Sequence, residues 1–432
     1  MIKKPFIGLA KPRIEYESLD ATLPEPKEIP TPKKVTLLLD EPYEPFGQKN
    51  AISLKKDDPV KTGQKLSLYD GSDAYVISSV TGTISSISSF LGEFGRSFTA
   101  IDIDVAEDED MDEQFKALSV KPTMDTAKAY LSVIPGNPPA SLFFPDNASP
   151  SIDTIVICGV DKDLLITVNQ YALGSDEKAI RKGVGILKQL TGIENIIMTT
   201  PEHLMQNAGT SGAQVSVVDA KYPATLPGMI MKNILGKVVP AGKSCEDMGV
   251  CFVSAEAVAS MGTAFDQGHI PIFKKFNLIK KDQTSIIISA RIGTPLHDIF
   301  SACDVTVNEK DRIILGGPMT GSSIYSERHP IQPDTDAVMI QDGENLPMVS
   351  DYPCINCGEC IRICPAKIPV NMLVRFLEAG QYEQAAEEYD LYSCVECGLC
   401  SFVCVSRMPI LHYIKLAKYE LGRINTAEAT NA

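Results

Sequence analysis

Several features that would point directly to a function are missing from this chain. No apolar run reaches the roughly 18 residues that cross a bilayer, and the opening MIKKPFIGLAKPRIEYES has no apolar stretch long enough for a secretory leader. Histidine is scarce: there are five, scattered at His203, His269, His297, His329 and His412, and none pairs with another ligand type in sequence. No Ser-His-Asp or paired-carboxylate signature stands out, and no G-x-G-x-x-G follows a strand-like run. Positive charge is outnumbered, 40 Lys and Arg against 55 Asp and Glu, for a net charge of −15. That balance argues against nucleic acid, whose phosphates need basic surface. These absences predict a cytoplasmic chain that meets a membrane only through a partner. With 432 residues it is too long for a single core, and its 44% hydrophobic share is ordinary for a soluble, multidomain protein.

Cysteine, by contrast, is plentiful and crowded. Of the twelve cysteines, eight fall between Cys354 and Cys404. A large chain without a leader has little use for a disulfide framework, so the crowding points to metal. The spacing is Cys354-x2-Cys357-x2-Cys360-x3-Cys364-Pro365, then Cys394-x2-Cys397-x2-Cys400-x3-Cys404. This is the bacterial two-cluster ferredoxin run, in which three close thiolates hold one [4Fe–4S] cube and the fourth reaches across to the other. It assigns Cys354, Cys357, Cys360 and Cys404 to a first cluster, and Cys394, Cys397, Cys400 and Cys364 to a second. Gly358 and Gly398 let the backbone wrap closely around them, while Val405 stands where the first run has Pro365. A pair of zinc sites is the competing reading, but zinc needs four ligands per site and gains nothing from the doubled pattern. The other cysteines, Cys158, Cys245, Cys251 and Cys303, lack ligand spacing and read as buried apolar fillers.

The chain between and after the two runs is predicted helical. NMLVRFLEAG puts Leu373, Phe376 and Leu377 on one face and stops at Gly380; QYEQAAEEY follows with Tyr382, Ala385, Ala386 and Tyr389. Ile410, Ile414, Ala417 and Leu421 form a last stripe, predicted to end at Gly422. Upstream, residues 1–120 read as β: DDPVKTGQKL and VISSVTGTISSI alternate, with turns expected at Gly63, Gly71 and Gly82. The acidic EDEDMDE (Glu107–Glu113) reads as a solvated boundary. From Asp153 the period changes, and DTIVICG, EKAIRKGVGILKQL and ENIIMTT read as a β-α-β unit, with AQVSVVD as a further strand. TSIIISARIGTPLHDIFSAC and DRIILGGPMTG then alternate strand, helix, strand and glycine turn, like a small β-grasp domain.

These stretches together resemble the C subunits of Rnf, the membrane complexes that couple electron transfer to ion translocation. The resemblance rests on DDPVKTGQKL with SSVTGTISSI, KYP at Lys221–Pro223, ILGKVVPAGKSCEDMGVCF, IGTPLHDIF, ILGGPMTG, and the cysteine segment through MPILHYIKLAKYEL. It implies a multidomain α/β and β chain: a lipoyl-like barrel-sandwich hybrid domain over 1–120, a Rossmann-like, flavin-domain-like α/β layer over 121–240, a β-grasp domain over 241–345, an α-helical ferredoxin domain over 346–425, and a tail over 426–432. It further implies a peripheral subunit on the cytoplasmic side of the membrane, held by membrane and iron–sulfur subunits of the complex. Such a subunit belongs to a translocase that moves Na+ or H+, and no complete active site is expected in this chain alone.

One region departs from the family pattern. Members that oxidise NADH carry a glycine-rich GAGFPT-type loop before the first α/β strand and an acidic NGAECEP segment after it. Here the matching places read VIPGNPPASLFFPDN and ICGVDKDLL. Pro138 and Pro139 remove backbone donors and stiffen the loop, and Phe143, Phe144 and Pro145 are expected to fill space that a flavin ring would need. The expectation is therefore two [4Fe–4S] clusters, no FMN, and electrons from a reduced, ferredoxin-like donor. Two alternatives stand beside it: an NADH-oxidising subunit with FMN in an unusual loop, and a mainly structural docking subunit of the same complex.

Overall fold

The computed structural model describes residues 14–19, 23–41, 53–69, 72–92, 95–143, 151–346, 349–350 and 352–431, with side chains as far as 424. Within them the chain is a mixed α/β protein with several separate sheets. Near the start, Lys34–Leu39, Ser97–Val105, Gly82–Leu91 and Pro59–Val60 pair antiparallel in that order, and Lys65–Leu66 pairs with Val76–Ile77. Period-2 alternation turns Val35, Leu37 and Leu39 inward against Ile101 and Ile103, all buried. Gly71 lies outside the described residues, while Gly63 sits in a turn at φ +84°, as expected. Gly82 does not: it opens the strand Gly82–Leu91, where an added Cβ would lie 2.2 Å from the Asp104 carbonyl oxygen. The acidic run is more than a solvated boundary, because the Glu109 carboxylate takes both Nη groups of Arg291, at 2.7 and 3.2 Å.

The next layer is a parallel sheet in the order Gln214–Val217, Asn195–Thr200, Thr154–Cys158, Val250–Ser254. The β-α-β reading is met by Thr154–Cys158, the helix Glu177–Thr191 and Asn195–Thr200, with Ile180, Val184 and Leu187 buried and Leu190 partly so. The fourth strand, Val250–Ser254, and the helix Ala255–Gln267 come from the stretch that the sequence reading places with the β-grasp segment. They join the α/β layer because VCFVS is a continuous apolar strand, and because Ser254 caps the helix, its Oγ accepting from the Ala257 N–H. The two helices cross at contact distance: a Cβ on Gly183 would lie 2.0 Å from the Val258 carbonyl oxygen, and one on Gly262 1.9 Å from that of Ala179.

A six-stranded mixed sheet follows, ordered Lys27–Glu28, Ser285–Arg291, Phe273–Ile279, Ala337–Gln341, Arg312–Leu315, Ser322–Ile324, with the helix Leu296–Ala302 packed on its core. Its first strand belongs to the chain's N-terminal part, so the β layers are laced together. Buried Lys274 adds a second tie, its Nζ bonding Glu256 of the α/β layer and lying 3.4 Å from Asp336.

The C-terminal part is helical: Glu359–Ile363, Val370–Glu378, Tyr382–Glu388, Leu399–Val403 and Ile410–Asn431. Leu373, Leu377, Ala385, Ile410, Ile414, Ala417 and Leu421 share one core, and Phe376 packs on Tyr389 with ring centroids 4.5 Å apart. The last helix does not stop at Gly422 but continues to Asn431. A lone glycine in a helix costs only about 1 kcal/mol, and a Cβ there would meet nothing within 4 Å.

Candidate metal centre

The two cysteine runs fold alike. In each, a residue two past the first cysteine and a glycine two further on take positive φ: Asn356 (+58°) and Gly358 (+75°), then Glu396 (+54°) and Gly398 (+71°). A short helix follows, and three residues beyond the fourth cysteine a further positive φ turns the chain, at Lys367 (+62°) and Arg407 (+55°). This winding aims backbone N–H groups at sulfur. The Asn356 N–H lies 3.4 Å from Cys354 Sγ, the Glu396 N–H 3.4 Å from Cys394 Sγ, and the Met408 N–H 3.4 Å from Cys404 Sγ.

The thiols gather across the runs. Cys354, Cys357, Cys360 and Cys404 line one small cavity, together with Met408 and Ile410. Burial, then the neighbouring thiols Cys357, Cys354 and Cys404, push the Cys360 thiol up to about 11. Burial, followed by Cys394 and Cys364, pushes Cys397 up to about 12, and Cys400 is raised by burial and by Cys394, Cys397 and Cys364. The fourth cysteine of each run thus faces the other run's three. Among the described residues no three Cys, His, Asp or Glu side chains stand close enough to share a single ion.

The surroundings of the two sets differ. Cys357 is exposed and Cys354 half-buried, with exposed Tyr352, Ile355 and Val405 nearby in sequence. The Cys357 carbonyl accepts from Arg362 Nη2 at 2.9 Å, within its own run. Cys364, Cys397 and Cys400 are buried. The matching Cys397 carbonyl accepts from the Tyr222 hydroxyl at 2.6 Å, and Lys418 Nζ reaches the Cys394 carbonyl at 3.0 Å. Tyr222 belongs to KYP, beside the α/β layer, and its ring lies 5.3 Å from that of Tyr16. Neither tyrosine is singled out by the cysteine pattern. The trace in the sequence is a mismatch: where the first run has Arg362, the second has Phe402, which donates nothing.

Around the departing loops the structure corrects one expectation. Phe143 is fully buried in the α/β core and fills no ligand space, while Phe144 and Pro145 lie outside the described residues. Beside the loop a cavity of about 670 Å³ stays open, lined among others by Asn137, Lys162, Asp163, Gly317, Thr320 and Thr335. Several donors near the departing loops are engaged by the chain itself. Asp163 accepts the N–H groups of Met319 and Thr320, at 3.1 and 2.7 Å, and the Thr320 hydroxyl at 2.6 Å, so VDKD holds the glycine turn of ILGGPMTG. At the helix start, the Ala257 N–H goes to Ser254 Oγ at 3.1 Å and the Glu256 N–H to Asn169 Oδ1 at 3.3 Å. Gly136 presses on the same turn: at φ +88°, an added Cβ would lie 2.4 Å from the Ala257 nitrogen.

No protein-family model matches the chain. It is 27% identical over 429 residues to the C subunit of the proton-translocating ferredoxin:NAD(+) oxidoreductase complex of Clostridium ljungdahlii, covering 94% of this chain and 92% of that one. The chain is a relative of the Rnf C subunits. The C subunit of the Na(+)-translocating ferredoxin:NAD(+) oxidoreductase complex of Acetobacterium woodii is 26% identical over 235 residues, 51% of this chain and 52% of that protein, so this match spans about half of that relative's length. C subunits of ion-translocating oxidoreductase complexes from further organisms align over most of the chain. Among solved structures, an NAD+-reducing [NiFe]-hydrogenase in the H2-reduced state is similar at a TM-score of 0.39 and 12% identity, covering 63% of this chain and 55% of that one. That likeness is too distant to carry an argument. The long alignments with the C-subunit relatives bear out the resemblance drawn from the sequence motifs.

Proposed function

We propose that this chain is an electron-transfer subunit of a membrane-bound, Rnf-type translocase, conducting single electrons through two [4Fe–4S] clusters. The observation that carries the reading is the crossed grouping of thiols, Cys354, Cys357, Cys360 and Cys404 in one set and Cys394, Cys397, Cys400 and Cys364 in the other. Buried thiols with raised pKa values resist ionising alone, and a metal that replaces their protons relieves that cost. Thiols gathered four to a set from the two runs suit a cube, in which each corner iron takes one thiolate. Once bound, the clusters accept and release one electron each. The chain's part is to hold the thiolates, aim N–H groups at sulfur and keep water from the second set.

By this reading the β layers around residues 34–105 form the barrel-sandwich hybrid, and the parallel sheet with the helix Ala255–Gln267 is the flavin-domain-like layer. The six-stranded sheet is then the β-grasp domain, and residues from about 352 form the helical ferredoxin. Among the described residues no helix is long and apolar enough to cross a membrane, so attachment to the cytoplasmic face falls to partner subunits of the complex.

The electrons come from a reduced, ferredoxin-like donor, and FMN and NADH play no part in this chain. The N–H groups of Met319, Thr320, Ala257 and Glu256, taken up by Asp163, Ser254 Oγ and Asn169 Oδ1, support this, since they are not free for a phosphate, and a two-electron hydride carrier cannot feed one-electron centres without a flavin. The 670 Å³ cavity beside Asn137 favours a second reading, in which a flavin sits there and NADH is oxidised. One anaerobic preparation separates the two. Iron, sulfide and acid-extracted flavin are quantified together, and bleaching of the clusters is followed with NADH and then with reduced ferredoxin. The expected result is about eight irons per chain, no flavin, and bleaching by ferredoxin alone. Stoichiometric flavin with bleaching by NADH overturns it in favour of the second reading; zinc in place of iron ends both.

A further inference from the structure

We propose that Tyr222 is a positioning residue for the second cysteine set, and that its hydroxyl sets the reduction potential there independently of the first. The inference rests on the cluster reading above and goes beyond it, to the group that makes two like centres unlike. The loops Cys354–Cys357 and Cys394–Cys397 have the same winding, and each ends in a carbonyl that a donor must satisfy. In the first, that donor is Arg362, five residues on, in an exposed contact that also includes Glu359. In the second, the corresponding Phe402 has no donor, and the bond comes from outside the segment, from Tyr222.

Tyr222 is well placed to hold this position. It is 7% exposed and packs with Leu226, Cys397 and Leu399, and with Tyr16 and Val395 at the margin. Its ring is braced by Tyr16, whose hydroxyl accepts the Thr225 N–H at 3.4 Å, and Thr225 Oγ1 in turn donates to the Asp161 carbonyl at 2.8 Å. The second loop is thus tied to the α/β layer through Tyr222, whereas the first loop's carbonyl is satisfied by its own run.

Hydrogen bonds and burial around the ligands tune the potential of such a centre. Reduction adds negative charge, and an O–H dipole with its positive end toward the loop favours the reduced form. Removing it makes reduction harder.

The test uses the intact, iron-replete chain with Tyr222→Phe, which keeps the ring and deletes the donor. Potentials of both centres are titrated with EPR readout, and backbone hydrogen exchange is followed over residues 394–399 and 354–359. The expected result is unchanged iron content, a shift of the second potential to more negative values with the first unchanged, and faster exchange over 394–399 alone. As the converse, Arg362→Leu should shift only the first potential. Equal shifts of both potentials, or none, together with unchanged exchange, would overturn the proposal. Absence of iron from the wild-type chain would instead overturn the cluster reading on which it stands.

Discussion

The two cysteine runs are alike in backbone and unlike in circumstance. Cys394 follows Cys354 by forty residues, and the positive-φ positions and short helices repeat at that same interval. Yet the first set opens to solvent at Cys357, while the second is pressed against the rest of the chain. Gly398 shows how tightly: a Cβ there would lie 2.4 Å from the Met319 carbonyl oxygen, whereas one on Gly358 meets only the tip of Arg362, at 3.4 Å. Met319 is in turn held by Asp163, and Lys415 Nζ reaches the Thr320 carbonyl at 2.5 Å. A duplicated motif has thus been given one face for the outside and one for the interior. By our reading, the exposed set exchanges electrons with a partner and the buried set with the body of the chain.

The largest expected effect breaks the comparison at the fourth cysteines. Cys364→Ala should lose the second cluster and keep the first, and Cys404→Ala the reverse, each retaining about four of about eight irons. EPR of the reduced variants identifies the survivor. If each substitution instead destroys the cluster of its own run, the thiols are not crossed.

Next comes the glycine pair. Both residues sit at positive φ, where alanine costs about 1 to 2 kcal/mol, but only at Gly398 does backbone stand in the way. Gly358→Ala should destabilise by about 1 kcal/mol and Gly398→Ala by about 3 kcal/mol or more, measured by denaturant unfolding of the intact chain. Equal costs would mean that the second set is not seated on the ILGGPMTG turn.

A smaller effect lies behind that seat. Burial, against the donating Asn169 and with Asp336 adding to it, moves Asp161 from 3.8 up to about 6. A folded-state pKa above the unfolded one means that the folded chain binds the extra proton. This contribution is therefore fully present below about pH 4 and is lost as pH rises to about 6. Asp161→Asn should remove on the order of 2 kcal/mol of that pH dependence. Unfolding midpoints between pH 4.5 and 7 test it, and an unchanged slope would show that Asp161 does not titrate there.

Legibility followed the same divide. The cysteine runs, the stripe of Leu373 and Leu377, and the β-α-β unit were readable because period and spacing are local properties. Which sheet the strand Val250–Ser254 joins is not legible in the sequence, because pairing is not local, although Ser254 as a cap marks the helix it leads into. Phe143 was expected in a ligand's place and lies in the core, since nothing in a loop's composition says which way a side chain turns. Tyr222 and Asp163 were legible only as parts of motifs; their partners, Cys397 and Thr320, lie more than a hundred residues away.

The smallest effect belongs to the cysteines outside the runs. Cys158, Cys251 and Cys303 are buried, and Cys245 is half-buried. Burial raises all four thiols, foremost among the causes in each case, up to about 11 at Cys158 and about 12 at Cys251. Thiols so placed stay protonated and behave as small hydrophobes. Cys303 shows this most simply. It closes the helix Leu296–Ala302, its N–H donating to the Ile299 carbonyl at 3.0 Å, and its side chain packs in the core with Phe300 and Ile299. The backbone bond survives substitution, so Cys303→Ala deletes one sulfur from a packed core and leaves a void smaller than a methylene pair. The expected cost is about 1 kcal/mol, with iron content and both potentials unchanged. Iron analysis of Cys303→Ala beside Cys364→Ala compares a filler with a ligand in the same chain. Loss of iron from the Cys303 variant would mean that the crowding of eight cysteines does not mark out the whole metal-binding set.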